Sequence, residues 1–238
     1  MVLTEQEQQI EAEALAFAKA NRRAIAKRLT DKTIYLPEAN PVSVFMAGSP
    51  GAGKTEASIE LLARLDGQAI LRIDPDELRS AIPAYTGDNA YLFQRAVSVL
   101  VEKIHDLALE QAQSFLLDGT LSNYEVAQKN IARSLGRRRM VQILYVYQEP
   151  RQAWEFVQAR EAAEGRRIQA EVFIDQYFAA REVVNRLKLE FGSAIQVDLL
   201  LKNNDNTNRM YRAGIDQIDS HVPEKYNRAD IERLLKQG

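Results

Sequence analysis

Residues 48–55 read Gly48-Ser49-Pro50-Gly51-Ala52-Gly53-Lys54-Thr55 and match the pattern G-x-x-x-x-G-K-[ST] of a phosphate-binding loop. Glycines in such a loop let the backbone turn tightly and direct successive N–H groups toward an anion. The positive charge of Lys54 suits the β- and γ-phosphates, and the hydroxyl of Thr55 is a ligand for Mg²⁺. The stretch therefore predicts a site for ATP or GTP, with Mg²⁺ at Thr55.

The segments on either side of the loop support this prediction. Residues 42–46 are a short apolar run, and residues 55–65 carry apolar side chains at helical spacing. A helix that begins at the loop presents the positive end of its dipole to the bound anion. We expect nucleotide contacts from Gly48 through Thr55 and on to Glu56.

Further apolar runs alternate with helical patterns along the rest of the chain. Together with residues 42–46 they predict five strands, which favours an α/β fold with a parallel sheet covered on both faces. We expect one domain over residues 1–238. The other four predicted strands are residues 69–73, 114–118, 140–147 and 194–201.

Acidic residues follow two of these strands. Asp74 and Asp76 come after the second strand, and Asp118 ends the third. Ligands bind at the carboxyl ends of parallel strands, so Asp76 is a candidate general base and Asp118 a candidate for ordering the magnesium shell or a water. Capping of the next helix is the alternative for Asp74, and a strand-end turn is the alternative for Asp118. Glu102, in the middle of a predicted helix, is either solvated or functional.

Basic residues occur in two places of interest. Arg137, Arg138 and Arg139 precede the fourth strand, where they either contact a phosphate or are solvated. Two predicted helices between about residues 150 and 190 carry further arginines and form either a closing lid or a surface hairpin. In a lid, these arginines would stabilise the charge of a transferred phosphoryl group. They are Arg160, Arg166 and Arg167.

Residues 1–36 precede the nucleotide-binding core. Thr4 and Glu7 have the spacing of a capping box, and the amphipathic pattern behind them predicts a helix over residues 4–29. This helix either packs onto the core or serves as a docking or inhibitory element.

Composition excludes several classes of function. A net charge of −2 gives no global reason to bind nucleic acid or an anionic membrane. The chain has no cysteine and only two histidines, so disulfides, thiolate zinc sites and cysteine nucleophiles are excluded. No apolar run is long enough to cross a bilayer, and no signal segment begins the chain, so we expect a cytoplasmic location.

The motifs together resemble those of the zeta toxin family, kinases of toxin–antitoxin systems that act on nucleotide-activated sugars. The resemblance extends over about residues 42–190. It depends on residues 46–55, on Ile73-Asp74-Pro75-Asp76-Glu77-Leu78-Arg79, and on Asp118-Gly119-Thr120. It implies a P-loop kinase fold with strand order 2-3-1-4-5.

The resemblance also implies roles for individual residues. Asp76 would take the proton from the 3′-hydroxyl of the sugar in UDP-N-acetylglucosamine. Arg160, with Arg166 or Arg167, would brace the phosphates, and an antitoxin protein is an expected partner. The implied substrate contacts are Asp76, Arg79, Glu102, Asp118 and Thr120.

Two other functions remain open on the sequence. One is a kinase on the same scaffold with another hydroxyl acceptor, such as a dinucleotide, an antibiotic or a polynucleotide 5′-end. The other is a nucleotide-dependent switch that signals through the N-terminal helix. In such a switch, Asp76 and Glu102 would be dispensable.

Overall fold

The computed structural model describes residues 3–63, 69–165, 168–203, 208–223 and 225–236 and has an α/β fold. Within these ranges the strands are β1 (Val42–Ala47), β2 (Leu71–Ile73), β3 (Phe115–Leu117), β4 (Met140–Tyr147), β5 (Gln196–Lys202) and β6 (Asn208–Arg212). The α-helices of the same ranges are α1 (Glu5–Leu29), α2 (Lys54–Ala63), α3 (Pro75–Arg79), α4 (Gln94–Glu110), α5 (Tyr124–Leu135), α6 (Pro150–Glu164), α7 (Ala170–Phe191) and α8 (Arg228–Lys236).

The strands form one sheet in the order β2-β3-β1-β4-β5-β6. Strands β1 to β5 are parallel, which confirms the predicted order 2-3-1-4-5. The predicted number of strands is corrected from five to six, because β6 pairs antiparallel with β5 at the edge of the sheet. The sequence Asn-Arg-Met-Tyr-Arg of β6 has no apolar run, and its pairing with the buried β5 makes it a strand.

The central strand β1 is buried on both faces. Phe45 belongs to one hydrophobic cluster, whereas Val44 and Met46 belong to a second cluster on the other side of the strand. Since successive side chains of a strand point to opposite faces, helices must cover both sides of the sheet. This packing leaves the ends of the strands as the place for a polar site.

Helices begin beside the carboxyl ends of the parallel strands, and side-chain caps begin three of them, α3, α5 and α6. Asp74 accepts a hydrogen bond from the backbone N–H of Asp76 at 2.7 Å and so caps α3. Capping was the alternative role predicted for Asp74. Asn123 caps α5, and Glu149 caps α6 ahead of Pro150. The positive ends of these helices therefore share the edge of the sheet where the phosphate loop lies.

The N-terminal helix α1 packs onto the core. Its predicted capping box is present, because Thr4 Oγ1 accepts from the Glu7 N–H at 3.3 Å and Glu7 Oε2 accepts from the Thr4 N–H at 2.7 Å. Ala14, Ala18 and Ala26 are buried in the cluster that also contains the apolar face of α4. Small side chains at these positions let the two helices approach closely. No helix in the described part of the chain could span a membrane.

Candidate active site

The phosphate loop connects β1 to α2 and lies directly against neighbouring backbone. Gly48 has a φ of 135°, and a Cβ there would stand 2.2 Å from the carbonyl oxygen of Val146 in β4. The Gly48 N–H donates to the carbonyl oxygen of Thr120, in the loop after β3, at 3.2 Å. The loop is thus held between β4 and the segment that follows β3, as the strand order requires.

Lys54 begins α2 and turns back onto the loop. Its Nζ donates to the carbonyl oxygens of Gly48 at 3.0 Å and Ser49 at 2.5 Å. Burial of the ammonium lowers the pKa of Lys54 to about 8, although the nearby charges of Asp118 and Asp76 act to raise it. The charge of Arg160 lowers this pKa further. Three other predicted site residues, Asp118, Asp76 and Arg160, therefore act electrostatically on Lys54.

Asp76 and Arg79 form an ion pair on the single turn of α3. The Asp76 side chain is 34% exposed, so a ligand can reach its carboxylate, whereas that of Arg79 is only 13% exposed. Arg79 Nη2 also donates to Gln94 Oε1 on α4 at 3.0 Å. The pair thus places an accessible carboxylate at the carboxyl end of β2, supported by α4.

Asp118 is buried at the end of β3, and an arginine that sequence reasoning missed lies beside it. Arg72 Nη2 donates to Asp118 Oδ2 at 2.7 Å and to Asp74 Oδ2 at 2.5 Å. Its Nη1 donates to Glu77, and its Nε donates to Ser58 Oγ on α2 at 3.0 Å. Burial raises the pKa of Asp74. A charged residue inside an otherwise apolar predicted strand was the signal that could have identified Arg72.

Thr120 contributes backbone as well as side chain to this edge of the sheet. Its carbonyl accepts from Gly48, and its Oγ1 lies 2.8 Å from Ser122 Oγ. Leu121 follows with a φ of 53°, so the segment turns sharply beside the phosphate loop. This placement is compatible with the predicted substrate contact of Thr120.

Glu102 is held outside this group of contacts. Its side chain is 56% exposed on α4 and forms an ion pair with Lys129 of α5 at 3.0 Å. The hydrogen bond from Lys129 lowers the pKa of Glu102. Glu102 is therefore solvated in the structure, which was one of its two expected roles. Substrate binding by Glu102 stays a prediction. Arg166 and Arg167 lie outside the described residues.

Of the three consecutive arginines, Arg139 is buried and structural. Its Nε donates to Ser43 Oγ at 2.8 Å, its Nη2 donates to the carbonyl oxygen of Gln113 at 2.5 Å, and its guanidinium lies 5.1 Å from the centre of the Phe115 ring. Burial lowers the pKa of Arg139 to about 10. Arg139 therefore matches neither expectation for this run, a phosphate contact or a solvated loop, because it joins the starts of the central strands.

Thr55 and Glu56 occupy the first turn of α2, where Thr55 is half-buried and Glu56 is exposed. Magnesium in phosphate-loop proteins is bound through few protein groups together with the nucleotide phosphates and waters. Among the described residues no cluster of three or more acidic, histidine or cysteine side chains could hold a metal by itself. The donor set fits a magnesium ion that arrives with the nucleotide.

Comparisons with known proteins agree with the fold. A family model described as Zeta toxin matches residues 25–216. The PezAT chromosomal toxin–antitoxin system of Streptococcus pneumoniae has a similar structure, with a TM-score of 0.63 and 16% identity over 99% of this chain and 94% of that chain. The AvrRxo1-ORF1:-ORF2 complex with ATP gives a TM-score of 0.56 and 16% identity over 87% of this chain and 67% of that chain. No curated protein sequence matches significantly.

Proposed function

The chain belongs to the zeta toxin family, and on that premise we propose that it is an ATP-dependent kinase of a nucleotide-activated sugar. The proposed acceptor is the sugar 3′-hydroxyl of UDP-N-acetylglucosamine or a closely related compound. One observation carries the proposal: Lys54 lies on the phosphate loop after β1, and Asp76 and Asp118 follow β2 and β3, which come next in the sheet order β2-β3-β1. A carboxylate and a phosphate-binding cation thus share one edge of the sheet, where the charges of both acids act on the Lys54 ammonium.

The phosphate loop would bind the nucleotide through its inward N–H groups and Lys54. The two carbonyl contacts of Lys54 can be exchanged for the β- and γ-phosphate oxygens, which bind an ammonium more strongly because they are charged. Magnesium would be held by the Thr55 hydroxyl with the phosphates, and it would neutralise the charge that develops on them. Arg160 on α6 would supply a further positive charge beside Lys54.

Asp76 would act as the general base. Its carboxylate would accept the acceptor's hydroxyl proton while that oxygen attacks the γ-phosphorus, and the bond between the γ-phosphorus and the bridging oxygen of ADP would break. Arg79 would orient the Asp76 carboxylate through their ion pair. Thr120 and Asp118 would border the acceptor from the end of β3, and Glu102 would contact the sugar only if the acceptor extends toward α5.

The proposed restraint on this activity is a separate protein and not helix α1. The similar structures come from a toxin–antitoxin system and from a complex of two proteins, and by analogy an antitoxin would bind this chain. Release of α1 would expose the buried alanines that pack with α4. Helix α1 is therefore better suited to support the core than to act as a displaceable inhibitor. Because the substrates are ATP and a nucleotide-activated sugar, we place the activity in the cytoplasm.

Mass spectrometry of the purified chain with ATP, Mg²⁺ and UDP-N-acetylglucosamine tests the proposal. We expect one added phosphate on the sugar nucleotide and none with Lys54→Ala, which removes the loop cation. Fragmentation of the product should locate the phosphate on the sugar. Consumption of ATP without a phosphorylated sugar would contradict the proposed acceptor, and no consumption of ATP would contradict the kinase.

A further inference from the structure

Arg72 is the charged residue of β2, and its contacts reach three separate parts of the site. The Nε atom contacts Ser58 on α2, Nη2 contacts Asp118 after β3, and the same Nη2 contacts Asp74 at the start of α3. The guanidinium is planar and offers its donors in fixed directions. Its partners are therefore held at fixed positions relative to one another.

A continuous chain of hydrogen bonds leads from the phosphate loop to the candidate base. Ser58 Oγ lies 2.7 Å from the carbonyl oxygen of Thr55 and accepts from Arg72. Arg72 donates to Asp74 Oδ2, and the other oxygen of Asp74 accepts from the backbone N–H of Asp76. Every link joins groups within 3.0 Å, so the loop helix and the Asp76 backbone are coupled through Arg72.

The charges around Arg72 depend on it as well. Asp74 and Asp118 are both buried, and a single nitrogen of Arg72 lies between their Oδ2 atoms. Removing one partner of a buried ion pair leaves the other charge uncompensated, and here two carboxylates would repel each other. The expected response is a displacement of Asp74, and with it of the turn that carries Asp76.

We propose that Arg72 is a positioning residue for phosphoryl transfer, which holds Asp76 at a fixed place relative to the phosphate loop. This inference depends on the proposed function, because it assigns Arg72 an effect that passes through the base. Arg72 acts on the transfer step rather than on nucleotide binding. The loop N–H groups and Lys54 do not require Arg72 to contact phosphate.

The test is a double-mutant cycle of Arg72→Met and Asp76→Asn in the full chain, with initial rates of transfer to UDP-N-acetylglucosamine. Arg72→Met should lower kcat by about 10- to 100-fold, because a small misplacement of a catalytic group has an effect of that size. The KM for MgATP should stay within about threefold of wild type, since binding to the loop is retained. In the double variant, Arg72→Met should lower kcat by less than about threefold beyond Asp76→Asn, because both changes remove the same contribution.

Two further variants separate positioning from general stability. Arg133→Met removes another half-buried ion pair, with Asp106, and should leave kcat near wild type. Arg72→Lys keeps the charge but not the planar fork, so it should still lower kcat by at least about tenfold, and it replaces Arg72→Met in the cycle if that variant does not fold.

Independent, multiplying effects of Arg72→Met and Asp76→Asn would overturn the inference, as would full kcat in Arg72→Lys. If wild type transfers no phosphate, or Asp76→Asn transfers it at full rate, the proposed function fails and takes the inference with it. The failure of the proposed function can therefore be distinguished from a failure of the inference alone. A slow Asp76→Asn beside a fully active Arg72→Met would refute the inference alone.

Discussion

Gly51 of the phosphate loop lies directly against the carbonyl oxygen of Ala153 on α6. A Cβ at position 51 would stand 2.0 Å from that oxygen, and the backbone of Gly51 has a φ of 70°. Ala153 is fully buried, and α6 begins at the cap made by Glu149. The loop therefore takes its shape against the helix that carries Arg160, and the two cannot be moved independently.

Gly51→Ala should consequently weaken nucleotide binding. The added methyl group must displace either the loop or α6, and we expect the Kd for MgATP to rise by at least about tenfold, since contacts to the phosphates depend on that geometry. Titration calorimetry measures the change. Gly214→Ala is the matched control, because Gly214 has a φ of 67° but nothing within 4 Å of its Cβ position. Equal Kd values for the two variants would contradict the close packing of loop and helix.

Lys54 should take up protons when nucleotide binds near pH 8. Because the pKa of Lys54 is about 8, its side chain is neutral in about half of the nucleotide-free molecules at that pH. Phosphate oxygens favour the charged form of the side chain. We expect uptake of about half a proton per MgATP at pH 8 and almost none at pH 6, where Lys54 is already charged. Calorimetry in two buffers of different ionisation enthalpy measures this uptake. Lys54→Arg should abolish it, and absence of uptake in wild type at pH 8 would show that the pKa is not lowered.

His105 should make stability depend on pH. It is buried between Phe45 and Phe115, and in the described part of the chain its Nε2 has no hydrogen-bond partner. Burial lowers its pKa to about 3, so the unfolded chain binds more protons below about pH 6.5. Stability is therefore fully present above that pH and decreases as the pH falls, by about 2 kcal/mol between pH 7.5 and 5 from this group.

Urea unfolding of wild type and His105→Phe at pH 7.5 and pH 5 measures this contribution. The phenyl ring cannot be protonated, so the decrease in the free energy of unfolding should be smaller by about 2 kcal/mol in the variant. The same decrease in both proteins would contradict a buried neutral histidine.

We expect the Asp198 carboxylate to stabilise the edge of the sheet formed by β5 and β6. Its carboxylate is fully buried and accepts from Gln142 at 2.5 Å, from the Tyr211 hydroxyl at 2.5 Å and from the Gly214 N–H at 2.8 Å. Asp198→Ala leaves these donors without their acceptor and should lower the free energy of unfolding by about 3 kcal/mol. Asp216→Ala, at a side chain that is 90% exposed, should lower it by less than about 0.5 kcal/mol. Similar values for both variants would contradict the anchoring role.

The parallel part of the fold could be predicted because each strand there is a short apolar run that ends at a turn or an acid. Burial on both faces requires such runs, and β1 shows the requirement directly in Val44, Phe45 and Met46. The edge strand β6 was not predicted, because it is held by its pairing with β5 and by the hydrogen bond from Tyr211 to Asp198 of β5, which are contacts between two strands. Local pattern carries no signal for them.

The candidate site was predictable where the chemistry is local in sequence. Lys54, Asp76 and Asp118 each follow a strand, and parallel strands bring those ends together. Arg72 was not identified, and neither role predicted for Arg139 was right, because the role of an arginine in or before a strand depends on partners elsewhere in the chain. Those partners, Asp118 for Arg72 and Gln113 for Arg139, come from other strands or loops.

The most direct test of the central claim is the rate of phosphoryl transfer by Asp76→Asn, with its MgATP affinity measured on the same sample. Asparagine keeps the shape of the side chain but cannot accept the proton, so kcat should fall by about 100-fold or more while Kd stays within about threefold. Lys54→Ala should lose both binding and transfer. Full turnover by Asp76→Asn beside an inactive Lys54→Ala would contradict the role of Asp76 as the base and leave only the nucleotide site.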